Sequence, residues 1–98
     1  MGRYLLLWEL DRSRAMVDPK ERGAGFKMLM DMVNQDMKKG LTKDWGVFIG
    51  EHSGYSVVEG TEVDIMNQIQ QYTPYVYFKA HPIGSVAQVE EMIKAMTK

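Results

Sequence analysis

The sequence predicts an α+β fold built on a four-stranded antiparallel sheet, and three observations predict it. Short runs rich in apolar and aromatic residues recur four times along the 98 residues. Capped amphipathic segments lie between the first and second runs and between the third and fourth. The second and third runs are close enough in sequence to form a hairpin. The order is therefore β-α-β-β-α-β, with a further helix at the C-terminal end. Right-handed crossovers give strand order 4-1-3-2, with the first two helices on one face of the sheet.

Each element has its own local reason. Tyr4–Leu10, YLLLWEL, is a short run with aromatic residues near both ends, and it reads as a strand covered on both faces. Asp18-Pro19-Lys20-Glu21 is a helix start, with Asp18 as cap and Glu21 completing a capping box. Gly23 and Gly25 weaken the first turns, so regular helix is expected from about Ala24. Phe26, Leu29, Met30, Val33 and Met37 then form an apolar stripe, and Gly40 ends the helix.

Trp45–His52 and Tyr55–Glu59 read as the hairpin strands, with Ser53-Gly54 as the turn. Thr61 caps a second helix whose apolar side carries Ile65, Met66, Ile69 and Tyr72, and Pro74 stops it. Tyr75–Ile83 is the fourth strand. Ser85 opens the last helix with a capping box, and Val86, Val89, Ile93 and Met96 are its expected buried side. The result is a ferredoxin-like arrangement, read as one domain over residues 1–98.

Composition narrows the function classes. Twelve basic against thirteen acidic residues leave a net charge of −1, which removes the electrostatic case for nucleic acid or an anionic membrane as partner. With no cysteine, thiolate chemistry and every Cys-based metal site are excluded. YLLLW is too short for a signal peptide or a span and is followed by Glu9 and Asp11, so a cytoplasmic protein is expected. Gly23-Ala24-Gly25 lacks the third glycine of a dinucleotide fingerprint. Ser53 and Ser85 have turn and cap roles and no nucleophile-elbow context.

The face of the sheet without helices carries the functional argument. Both alternating sets of the first strand are apolar, and the fourth strand presents Tyr75, Tyr77, Lys79, His81 and Ile83 on the side away from the helices. Such a face is too apolar to meet water in a monomer. A second copy packed face to face is the expected cover, giving a homodimer or higher homo-oligomer, with Leu6 in the interface. Met28 and Met32, on the far side of the first helix, are expected to form a further contact surface.

His81, Tyr77 and Lys79 share one face at period two. A histidine there can act as a general base, with Tyr77 or Lys79 steadying an oxyanion; alternatively His81 caps or hydrogen-bonds near the His-Pro strand exit while Tyr77 and Lys79 line a dimer interface. Trp8, Tyr4 and Tyr75 are expected as the aromatic lining of a small-ligand pocket on the same side. Glu9 reads as solvent-facing or as a buried acid. His52 and His81 end their strands far apart, so no metal pair and no cofactor is expected.

The segment order, with the stretch GYSVVEGTEVDIMNQIQQYTPYVYFKAHPI, resembles the dimeric α/β-barrel superfamily. In layout it is similar to small muconolactone-isomerase-like and YCII-like proteins. The resemblance implies sheets closed into a barrel across a dimer and a small-molecule cavity in or beside it. Two function classes follow. One is a sheet-mediated homodimer that binds a small organic ligand or serves in an assembly. The other is a cofactor-free, isomerase-type enzyme acting on a small organic acid or aromatic substrate through His81, Tyr77 and Lys79.

Overall fold

In the computed structural model, which describes residues 2–98, four strands form one antiparallel sheet. β1 (Gly2–Leu10) and β3 (Ser53–Gly60) are its central strands; β2 (Thr42–Val47) and β4 (Val76–Pro82) are its edges. The order is β2-β3-β1-β4 from one edge, which is 4-1-3-2 counted from the other. Helices α1 (Pro19–Lys38) and α2 (Glu62–Gln70) connect the strands, and α3 (Val86–Met96) follows β4.

All three helix starts are where local chemistry places them. Asp18 accepts from the Glu21 amide, while Thr61 and Ser85 each form a reciprocal capping box with the residue three further on. Helix α1 nevertheless begins at Pro19 and runs unbroken through Gly23 and Gly25, contrary to the expected start near Ala24. A glycine in mid-helix costs only about 1 kcal/mol relative to alanine, less than a cap and a twenty-residue helix can supply.

The hairpin departs further from expectation. β2 starts three residues earlier than predicted, at Thr42, and ends at Val47. The connection is Phe48–His52, closed by the Phe48 amide donating to the Ser53 carbonyl (2.9 Å) and the Glu51 amide to that of Phe48 (3.0 Å). Gly50 takes the left-handed conformation this loop needs (φ +84°). Ser53 and Gly54 are therefore strand residues, and Ile49 stands fully exposed in the loop.

Register assigns the faces. Leu6 opposes Ser56 and Ala80, and Trp8 opposes Gly54 and Phe78, so the even-numbered residues of β1 face the helices. Leu5, Leu7 and Glu9 lie on the open side, opposite His81, Lys79 and Tyr77 respectively. The core on the helix side has two parts. Trp8, Val33, Tyr72 and Val76 form one; Leu6, Val58 and Ile65 form the other.

Two packing expectations are corrected. In α1 the buried residues are Val33 and Asp36, with Met32 and Leu29 packed beside them, whereas Phe26, Met30 and Met37 remain partly exposed. Leu29, Met32, Val33 and Asp36 also lie on one helical side, but the acidic residue hid that stripe from a hydrophobic pattern. Met32 is thus a core contact, and Met28 alone of that pair is exposed. The second correction concerns α3: Val86, Val89, Ile93 and Met96 are all exposed and no residue of the helix is buried. The elongated shape, 62 × 26 × 18 Å, fits a helix that stays off the body.

Candidate functional site

The helix side of the sheet holds an open-sided cavity of about 300 Å³, roofed by α1 and bounded at one end by α2. Its floor is Trp8, Trp45, Phe78 and Val76, and Phe26, Leu29 and Val33 reach down from α1. It runs along α1 from Phe26 towards the turn that carries Asp36, ten residues or about 15 Å at 1.5 Å per residue. Phe26 and His52 meet edge to face at the mouth, with centroids 6.4 Å apart.

The aromatic floor depends on a small residue. β3 lies between β1 and β2, yet the indoles of Trp8 and Trp45 stack across it, 5.4 Å apart and within 10° of parallel. They meet over Gly54 and Ser56, the β3 residues opposite Trp8 and Trp45. Trp8 satisfies its one donor by hydrogen bonding from Nε1 to the Tyr55 carbonyl at 3.2 Å. Glycine and serine on the middle strand leave room for two large rings from its neighbours.

At the α2 end the wall turns polar. Asp36 (1% exposed) accepts from the Tyr72 hydroxyl at 2.8 Å, and Gln68 Nε2 donates to Thr42 Oγ1 at 2.8 Å and to Asp36 Oδ2 at 3.4 Å. Gln68, Thr42 and Tyr72 line the cavity; Asp36 stands behind them. Two buried acceptors have no partner, Asp36 Oδ1 and Gln68 Oε1. Neither ion pair found among the described residues involves Asp36.

Burial, with the hydrogen bond to Asp36, pushes the Tyr72 phenol well above its ordinary value of 10.0. The folded state therefore keeps this proton longer than the unfolded chain does. The contribution is complete below pH 10 and is lost as the pH climbs through the raised value. Tyr72→Phe is expected to remove that alkaline dependence and to cost about 1–3 kcal/mol at neutral pH by taking the nearest donor from a buried carboxylate. Urea unfolding of both proteins at pH 7 and above pH 10 checks both effects.

The residues singled out from sequence divide between the two faces. His81, Lys79 and Tyr77 do share the open face, two residues or about 7 Å apart in turn, and all three are exposed. No hydrogen bond joins them among the described residues. Trp8 and Tyr4 lie on the helix side, so the expected aromatic pocket of Trp8, Tyr4 and Tyr75 on the bare face does not form. Trp8 floors the internal cavity, Tyr4 packs against the Leu6 cluster, and Tyr75 is half-exposed just before β4. Leu6, expected in the interface, is 1% exposed in the core of the single chain.

Glu9 is exposed on the open face opposite Tyr77. His52 is the last residue of the hairpin loop, beside Leu10, whereas His81 opposes Leu5. Five β1 residues separate those two points, about 17 Å. Among the described residues, no three His, Asp or Glu side chains gather as a metal site, and no helix is long and apolar enough to cross a membrane.

Asp36, Gln68 and Thr42 were not singled out from sequence. The available signal was a polar residue at the spacing of an apolar stripe. Gln68 falls three after Ile65 and four before Tyr72, and Asp36 three after Val33. No protein-family model matches the chain, and no curated protein matches it significantly.

Proposed function

We propose that the chain binds a small organic molecule in the cavity beneath α1 and does so as a homodimer paired through the bare side of its sheet. The observation that carries the reading is the cavity itself, about 300 Å³ with stacked indoles on one side and a buried polar cluster at one end. That size and lining are those of small-molecule sites, mostly apolar with a few placed polar groups. The exposed His81, Lys79 and Tyr77 then belong to the pairing surface, where no hydrogen-bonded acid–base set is in place.

Two uncovered apolar surfaces support the pairing. The open face presents Leu5, Leu7, Val57, Tyr55 and Tyr77, and α3 presents Val86, Val89, Ile93 and Met96. Apolar side chains left facing water in groups of this kind mark association surfaces. A second copy around a two-fold axis supplies the same surfaces in return. This is the assembly implied by the resemblance to dimeric α/β barrels.

Sedimentation velocity at micromolar concentration is expected to show a species of twice the 11.3 kDa chain mass. A species of chain mass alone refutes the pairing. For the cavity, nuclear magnetic resonance titration with small aromatic fragments is expected to move the Trp8 and Trp45 indole N–H signals. Fragments that shift only surface amides would refute it.

A further inference from the structure

We infer that the ligand of the cavity beneath α1 ends in a carboxylate, and that an adjoining hollow holds this head through Arg22 and Arg12. The inference rests on the cavity reading above and adds a second site with its own chemistry. The hollow, about 190 Å³, is lined by the first turns of α1 and by the short turn Arg12–Arg14. Leu10, Phe26, Leu29 and His52 line both spaces and form the partition between them. Its outer part is the edge-to-face pair of Phe26, 39% exposed, and His52, also exposed, which can part without disturbing the core. Arg22 comes one helical turn before Phe26, about 6 Å along α1. A ligand with its ring against the stacked indoles therefore reaches the hollow on a short spacer.

Arg12, Arg14 and Arg22 line the hollow with Asp11 and Glu21, an excess of one positive charge. Asp11 and Arg14 answer each other at 3.2 Å, and Asp11 also accepts from the amide and hydroxyl of Ser13. Among the described residues, Arg12 and Arg22 have no acid within ion-pair distance. Arg22 is fixed in place by Nη1, which donates to the Met16 and Val17 carbonyls at 3.2 and 3.3 Å. The Nε–Nη2 edge stays uncommitted, and its two parallel N–H groups are the fork that receives a carboxylate. A guanidinium already held on one side loses less freedom when the other side binds. Glu21, on the same wall, keeps the expected preference modest. Gly25 gives the hollow its width. It lies inside α1, where glycine is the least favoured residue after proline, yet a β-carbon there would meet nothing within 4 Å. No neighbour in the fold requires that glycine, and the side chain it lacks is room for a ligand.

The test is a matched series with one ring, one spacer and three heads: 4-phenylbutyrate, 4-phenylbutanol and 4-phenylbutylamine. Each is titrated at pH 7 against the full chain while the two tryptophan indole signals are followed. The acid is expected to bind about five- to tenfold more tightly than the alcohol and the amine, and added salt to erase that advantage. Arg22→Gln and Gly25→Leu are each expected to bring the acid to the level of the alcohol while the alcohol keeps its affinity. Leucine is the better helix former, so the second variant removes the space without weakening α1. Should either variant not fold, the salt dependence of the parent chain decides. Equal affinities for acid and alcohol in the parent overturn the head-group inference and leave the cavity reading standing. An acid preference that survives both substitutions also overturns it, and its loss in Thr42→Val would put the head at the α2 end instead. If no member of the series moves the indole signals at millimolar concentration, the cavity reading falls and this inference with it.

Discussion

Gly54→Ala is expected to destabilise the fold by about 3 kcal/mol or more, among the largest effects of any single methyl added to this chain. A β-carbon at this position would lie 2.5 Å from Trp8 Cζ2 and closer still to the Gly46 carbonyl oxygen. The Trp8 ring is 8% exposed and held by its bond to the Tyr55 carbonyl and by the stack on Trp45, so a retreat into the cavity breaks both. The Gly46 oxygen belongs to the adjacent strand and cannot move without breaking the β2–β3 ladder. Overpacking contributes about 1–3 kcal/mol, and losing the aromatic pair adds about 0.5–1.5 kcal/mol. For a domain of this size the melting midpoint should fall by roughly 15 °C. Thermal unfolding followed by near-ultraviolet circular dichroism measures both the midpoint and the indole environment. A midpoint equal to the parent's would show that Trp8 does not lie across Gly54.

Leu7→Glu is expected to convert the proposed dimer to a folded monomer, weakening pairing at least about a hundredfold. Leu7 is on the open face of a central strand, between Tyr55 and Lys79. In a lone protomer the new carboxylate meets water and sits beside an ammonium, at little cost. In a face-to-face pair it is buried close to its symmetry mate, and uncompensated buried charge costs several kcal/mol. Far-ultraviolet circular dichroism should be unchanged while sedimentation gives the 11.3 kDa chain mass. Ile93→Asp on α3 offers a second reading free of folding effects, because that side chain is 48% exposed and α3 has no buried residue. It should weaken pairing as well. Persistence of the double-mass species in both variants would place the contact elsewhere.

Much of the fold was legible because the forces that set it are local. Asp18, Thr61 and Ser85 cap helices through amides three residues away, and a reader needs only the neighbouring residues to find them. Strand alternation is equally local, so Tyr77, Lys79 and His81 fall on one face in sequence and in structure. The hairpin misled for an instructive reason. Gly54 looked like a turn glycine, but its lack of a side chain answers Trp8, forty-six positions earlier.

The candidate cavity was less legible. Asp36 and Gln68 look like solvent-facing members of their helices until Tyr72 and Thr42, 36 and 26 residues away from them respectively, supply hydrogen bonds that let them be buried. The stacking of Trp8 on Trp45 is invisible until β3 is known to lie between their strands.

By itself, then, the sequence determined which residues cap the helices, which residues alternate along each strand, and that more apolar surface exists than one sheet face can hide. Tertiary structure decided which alternating set faces the helices, where the apolar side of α3 goes, and which polar groups are taken out of water. Periodicity specifies how side chains are spaced along a chain. Burial depends on what other elements bring against them, and those partners come from distant positions.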